Sequence, residues 1–173
     1  MDLASLVRNI PDFPKPGVQF KDITTLLKNG EAFHYIIDFW KDRYADQRVD
    51  AIVGADARGF VFGAPLAYAM NLPFIPVRKQ GKLPGECITE SFDLEYGASE
   101  LSIHVDALSQ GNRVVLVDDL LATGGTMAAM CKLVERLGAE IIEIAFVIEL
   151  PPLKGRTKIE QYPIHSLIEF MVA

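Results

Sequence analysis

Apolar residues recur at helical spacing in "EAFHYIIDFWKDRY" (Glu31–Tyr44), where Phe33, Ile36, Ile37, Trp40 and Tyr44 fall on one face. That spacing predicts an amphipathic helix whose aromatic stripe packs into a core. "DAIVGADARGF" begins differently: Ala51–Val53 is a short apolar strand, Gly54 predicts a turn, and a helix is expected over Phe60–Met70. Leu72–Lys79 reads as the next strand, and the valine-rich Arg113–Asp119 as a clearer one that ends abruptly in charge. Met127, Met130, Leu133, Val134 and Leu137 then mark the buried side of a further helix, with Gly138 in the position of a C-cap. Ala139–Leu150 supplies another buried strand.

Strands alternating with helices imply an α/β fold, a mainly parallel twisted sheet flanked by helices on both faces. Ligands of such sheets bind at the carboxyl ends of the strands, near a topological switch point. Two turns, after Val53 and after Val117, lie at such ends. The segment Gly81–Gly97, "GKLPGECITESFDLEYG", fits this scheme poorly. It reads as a long excursion, a β-hairpin able to open and close, since long loops in compact domains are either functional lids or disordered connections.

The length of 173 residues suits one domain with a real core, and neither a repeat nor a composition break marks a second. A net charge of −6 argues against general attraction to nucleic acid or an anionic membrane, both of which need excess positive charge. Cys87 and Cys131 have neither metal-site spacing nor the density of a disulfide scaffold, so two free thiols are expected. The N-terminal stretch lacks the apolar core of a signal peptide, and no stretch reaches bilayer length. The expected location is cytoplasmic.

The charge balance sharpens two clusters. In "VVLVDDLLATGGT" (Val114–Thr126) a strand delivers Asp118 and Asp119, and then a turn of small residues opens a helix. Backbone N–H groups at such a helix start converge on an anion, and Thr123 and Thr126 add hydroxyl donors. The spacing matches neither a Walker A loop nor a dinucleotide fingerprint. Ionised carboxylates accept strongly from the vicinal hydroxyls of a ribose, so a ribose 5-phosphate satisfies acids and turn together. The same pair suits Mg2+, directly or through water. Acids can also simply cap a helix, but that leaves the Thr-Gly-Gly-Thr turn without a purpose. The second cluster is Arg58, Arg78, Lys79 and Lys82, a positive set at strand ends in an acidic chain, as a polyanionic ligand requires.

"VVLVDDLLATGGT" resembles the phosphoribosyl-pyrophosphate (PRPP) motif of type I phosphoribosyltransferases. "PDFPKPGVQFKDIT" (Pro11–Thr24), "ADARGFVFGAP" (Ala55–Pro65), "PVRKQGKLPG" (Pro76–Gly85) and "DLEYG" (Asp93–Gly97) together resemble the adenine phosphoribosyltransferase family, in its order and spacing over most of the chain. The resemblance implies one type I phosphoribosyltransferase domain over residues 1–173, with a small hood from residues 1 to about 28 over the base, and a mobile lid loop. It implies transfer of 5-phosphoribosyl from PRPP to N9 of adenine, giving AMP and pyrophosphate, with Mg2+, in a homodimer serving purine salvage. Asp118 and Asp119 would hold the ribose, and Ala122, Thr123, Gly124, Gly125 and Thr126 the 5-phosphate. Mg2+ would be held through PRPP and water, with Asp118 and Asp119 as candidate ligands.

Asp56, Ala57 and Arg58 match the family's pyrophosphate loop, where a cis peptide joins the first two. Arg78, Lys79 and Lys82 match its pyrophosphate-reaching basic residues, some of them acting across the dimer interface. Adenine would lie on Phe20 and be read by backbone groups around Gln19 and Lys21. Gln19 departs from the aliphatic residue of many relatives, a change that a backbone contact tolerates. Glu95 would approach N7 of the base, with a catalytic role shared with Arg58, and Tyr96 would help close the lid. A phosphoribosyltransferase for hypoxanthine, guanine or xanthine is the nearest alternative. A nucleic-acid-binding regulator on the same fold would need a DNA-reading domain or a basic face, and neither is expected in this chain.

Overall fold

A computed structural model of the chain describes residues 1–94 and 97–171. A two-stranded antiparallel sheet opens it: β1 (Arg8–Pro11) pairs with β2 (Gln19–Asp22), from Arg8 opposite Asp22 to Pro11 opposite Gln19. The short α1 (Thr24–Leu27) follows, then α2 (Gly30–Tyr44). Asn29 caps α2, its side-chain oxygen accepting from the Ala32 N–H at 3.0 Å, which satisfies one of the amides a helix start leaves free. Ile36, Ile37, Trp40 and Tyr44 are buried as their spacing predicts, with Phe33 packed at the margin.

The main sheet has seven strands: β3 (Ala51–Ala55), β4 (Phe74–Lys79), β5 (Cys87–Asp93), β6 (Ala98–His104), β7 (Arg113–Leu121), β8 (Glu140–Glu149) and β9 (Ile164–Glu169). Their order is β5-β6-β4-β3-β7-β8-β9. The five from β4 to β9 run parallel, while β5 and β6 add an antiparallel hairpin at one edge. Helices α3 (Arg58–Met70) and α4 (Gly125–Arg136) make the crossovers. Along β7, Val114 and Leu116 face the core under α4, and Val115 and Val117 the core shared with α2 and α3. Burial on both faces accounts for the unbroken apolar run. The sheet reversal lies between β3 and β7, so the carboxyl ends of these two strands flank the switch-point crevice.

Two expectations need correction. Gly54 does not turn the chain; it stays in β3, where a Cβ would stand 2.8 Å from the Phe74 ring, so the glycine serves close strand packing. The turn comes at Asp56–Ala57, joined by the cis peptide that the family resemblance implied. Strand β7 does not stop at Asp119 but continues to Leu121, paired with β8 from Asp118 opposite Phe146 to Leu121 opposite Glu149. The second half of the Gly81–Gly97 excursion is ladder: Cys87–Asp93 pairs along its whole length with β6, which closes the hairpin predicted there. Gly138 ends α4 as expected, with φ +83 just past the cap residue Leu137. Cys87 and Cys131 are free thiols, and among the described residues no helix is long and apolar enough to cross a membrane.

Candidate active site

The carboxyl ends of β3 and β7 open into a cleft of about 260 Å³. Asp56, Ala57 and Arg58 line it from the β3–α3 turn, and Asp118, Asp119 and the turn Ala122–Thr126 line it from the other side. The carboxylate and glycine cluster thus meets Arg58 of the basic cluster in one space. In the turn, Gly124 takes φ +82, and the first intrahelical bond of α4 runs from the Ala128 N–H to the Gly124 carbonyl at 2.9 Å. The amides before it have no carbonyl of their own helix to meet, which makes this end of the cleft attractive to a phosphate.

The acids are held apart in role. Asp118 Oδ1 accepts from the Asp119 N–H at 2.8 Å, while Asp119 is buried, at 2 % exposed. Asp119 Oδ2 lies 2.9 Å from Arg58 Nε, yet among the described residues it accepts no well-directed hydrogen bond. A buried carboxylate oxygen with unused acceptor capacity is what a ligand hydroxyl or a water-held cation requires. Loss of hydration, then the like charge of Asp119, pushes the Asp118 carboxyl well above the usual aspartate range. Burial also raises Asp119, against the opposing pull of Arg58. Neutralising this pair falls to a ligand that donates protons or brings positive charge.

Arg58, first residue of α3, does more than face an anion. Its guanidinium stands beside Asp119 and also 5.8 Å from the centre of the Phe20 ring. It therefore joins the cleft to a second, mainly apolar cavity of about 420 Å³. Val18–Lys21 forms one side of that cavity, and Leu120, Leu150 and Leu153 supply its aliphatic wall. Phe20 meets Phe13 edge-on at 5.1 Å. The side chains of Gln19 and Lys21 both reach Asn9 of β1: Asn9 Nδ2 donates to Gln19 Oε1, and Lys21 Nζ to Asn9 Oδ1, each at 2.8 Å. Lys21 is buried, which lowers its pKa.

The other basic residues divide. Arg78 Nε donates to Asp56 Oδ2 at 2.7 Å and so braces the Asp56–Ala57 turn, without lining either cavity itself. Lys79 and Lys82 are exposed and line neither cavity; Lys79 borders a shallow depression with Ser91, Ser99 and Glu100 on the hairpin side. Glu95 and Tyr96 lie outside the described residues. Sequence reasoning missed Leu120, Leu150, Leu153 and Gly155. Gly155 backs the phosphate turn so closely that a Cβ on it would stand 2.3 Å from the Ala122 carbonyl oxygen. Among the described residues no group of three or more His, Cys, Asp or Glu could hold a metal ion. Two carboxylates beside a phosphate cradle fit Mg2+ that arrives with its ligand and keeps several waters, the usual habit of that ion.

A phosphate cradle and a carboxylate pair at the switch point of a parallel sheet define a class that handles phosphoribosyl groups. The family model of the phosphoribosyl transferase domain matches residues 22–169, and the chain belongs to that family. It is 55 % identical to the adenine phosphoribosyltransferase of Chloroflexus aurantiacus over 98 % of both chains. The crystal structure of the Thermoanaerobacter pseudethanolicus adenine phosphoribosyltransferase superposes with a TM-score of 0.94, at 51 % identity over 98 % of each chain. That of the Saccharomyces cerevisiae enzyme, complexed with an imino-altritol bisphosphate and adenine, gives 0.92 at 40 % identity over 96 % of each. Within the family, this chain's branch is the adenine phosphoribosyltransferases, enzymes of the pentosyltransferase class.

Proposed function

We propose that the enzyme transfers the 5-phosphoribosyl group of PRPP to N9 of adenine, releasing pyrophosphate and forming AMP. One observation carries the reading: the polar cleft and the apolar cavity share Arg58, Leu120, Ala122 and Thr123, so a sugar in the first presents its anomeric carbon toward a base in the second. The Ala122–Thr126 turn takes the 5-phosphate, and Asp118 and Asp119 accept from the ribose hydroxyls. Asp56, Ala57 and Arg58 receive the pyrophosphate, with Arg78 fixing Asp56. Phe20 stacks on adenine, whose edge is read by the backbone around Gln19 and Lys21; the ties of those two side chains to Asn9 support this. The N-terminal segment through β2 and α1 then acts as the hood over the base.

The bond from the anomeric carbon to the pyrophosphate oxygen breaks, and the bond to N9 forms. Adenine attacks through the N9 lone pair with its imidazole proton on N7, and that proton passes to a carboxylate at N7, the role proposed for Glu95, or to water. Positive charge builds on the ribose as in glycoside cleavage, so catalysis rests on orientation and on stabilising the departing anion. Arg58 supplies charge at the junction. Mg2+, when bound with PRPP, would add to the neutralisation of that anion. Glu95 at N7 and Tyr96 in a closing lid complete the proposal, as do a homodimer that lends Lys79 and Lys82 to pyrophosphate, a cytoplasmic location and a purine-salvage role. A base panel with PRPP and Mg2+ tests it: nucleotide should form with adenine and not with hypoxanthine, guanine or xanthine. Turnover of hypoxanthine without adenine would overturn the assignment.

A further inference from the structure

Glu149 and Arg156 close a segment that the reaction scheme leaves unused. Glu149, the last residue of β8, is buried, and Arg156 follows in the 3-10 turn Gly155–Lys158. Arg156 Nε donates to Glu149 Oε1 and Nη2 to Oε2, both at 2.6 Å. Ser166 of β9 donates to the same Oε2 at 2.7 Å and accepts from Arg156 Nη2 at 3.3 Å. Burial works to raise the Glu149 carboxyl, but the bonds from Arg156 and Ser166 outweigh it and keep the group ionised.

Between these two residues runs chain that walls the apolar cavity and backs the Ala122–Thr126 turn. Leu150 and Leu153 wall the apolar one, and the Leu150 N–H donates to the Leu121 carbonyl at 2.9 Å. Gly155 presses on the phosphate turn: a Cβ on Gly124 would stand 2.4 Å from the Gly155 oxygen. A cradle built of backbone amides works only when those amides point at one spot, so its backing must be fixed. A forked arginine bound at both nitrogens fixes direction as well as distance.

We propose that the Glu149–Arg156 pair is a positioning clasp, holding the 5-phosphate turn and one wall of the base cavity in register. The clasp rests on the phosphoribosyl reading of that turn. A matched control exists in the same molecule. Arg43 of α2 makes an equally forked pair with Glu143 of β8, at 2.7 and 2.7 Å, with the Tyr44 hydroxyl donating to Glu143 at 2.6 Å. Glu143 lies opposite Val115, three residues before Asp118 on the neighbouring strand, and lines neither cavity.

The experiment compares Arg156→Lys and Glu149→Gln with Arg43→Lys and Glu143→Gln in thermal melts, steady-state kinetics and calorimetry with AMP. The clasp predicts that the first two raise KM for PRPP and Kd for AMP by on the order of 10-fold, more than they lower kcat, as expected of a displaced binding turn. The control pair should lose comparable melting temperature and keep wild-type KM values. Wild-type KM in Arg156→Lys and Glu149→Gln, or an equal rise in the control variants, overturns the clasp. If Arg156→Lys does not fold, Glu149→Gln, which keeps shape and some hydrogen bonding, decides on the same criteria. A wild-type enzyme that fails to bind AMP or PRPP would remove the phosphoribosyl reading itself, a result distinct from a failed clasp.

Discussion

Gly124→Ala puts a methyl group into the tightest place beside the cleft. Two costs add. Gly124 sits at φ +82, where an L residue is disfavoured by roughly 1–2 kcal/mol. Its Cβ would also stand 2.4 Å from the Gly155 carbonyl oxygen, a backbone atom that cannot swing away. Overpacking of that kind costs about 1–3 kcal/mol, so the two together come to roughly 2–5 kcal/mol. At about 2–4 °C per kcal/mol for a chain of this size, the melting temperature should fall by roughly 4–20 °C. Gly81→Ala separates the terms, because Gly81 has φ +82 as well but nothing within 4 Å of its would-be Cβ. It should lose only the conformational part. Differential scanning fluorimetry with and without AMP provides the assay, and Gly124→Ala should also show a smaller AMP-induced stabilisation. Equal melting temperatures for the two variants would refute the claim that the Gly155 contact shapes the phosphate turn.

Asp118→Asn should weaken PRPP by roughly 10- to 100-fold, the loss of a hydrogen bond to a charged group, yet stabilise the free enzyme at neutral pH. The sign follows from linkage: a carboxyl whose folded pKa is raised binds a proton that the unfolded chain has released, so stability falls as pH rises from the ordinary aspartate range through the folded pKa. Melting curves from pH 4 to 8 should converge for the two proteins at the acid end, and an Asn variant less stable at pH 7.5 would reverse the argument. PRPP affinity of the wild type should decline on acidification at a pH above that of an ordinary aspartate, as calorimetry across the same range would reveal. Phe20→Ala should raise KM for adenine by roughly 5-fold or more, the loss of base stacking on an aromatic face, while PRPP binding stays within 2-fold by this same reasoning. An unchanged adenine KM would remove Phe20 from the base site.

The polar cleft, proposed above for phosphate and ribose, was legible as a cluster because its residues are local. A helix start and the strand before it are contiguous in any chain, so Asp118, Asp119 and Ala122–Thr126 carry their meaning within one stretch. Where β7 ends was not legible. The two acids interrupt the apolar run, and Leu120 and Leu121 beyond them are too short a stretch to read as strand without the ladder to β8. The basic cluster was half legible for a related reason. Charge at a strand end can be read, but adjacent residues of a strand point to opposite faces. Arg78 therefore turns to Asp56 while Lys79 turns to the hairpin side.

The apolar cavity, proposed above for the base, is a different kind of object. Its walls come from Gly17–Lys21 at β2, from Arg58, from the residues just past the acids of β7, and from Leu150 and Leu153 after β8. No periodicity links Val18 to Leu153: sheet order sets the ends of β7 and β8 side by side, and the segment entering β2 reaches the cavity from outside that sheet. A resemblance could point to Phe20 and leave the aliphatic wall unseen. The two halves of the site then call for different proofs. The turn can be tested by single substitutions within Val114–Thr126, since its parts are neighbours in the chain. On the proposed reading, base selectivity depends on how these distant segments are held, and the Glu149–Arg156 pair spans one of them. If that pair sets the wall, a residue that touches no substrate should shift the affinity for adenine and for the 5-phosphate together, whereas Phe20 shifts only the first and Asp118 only PRPP.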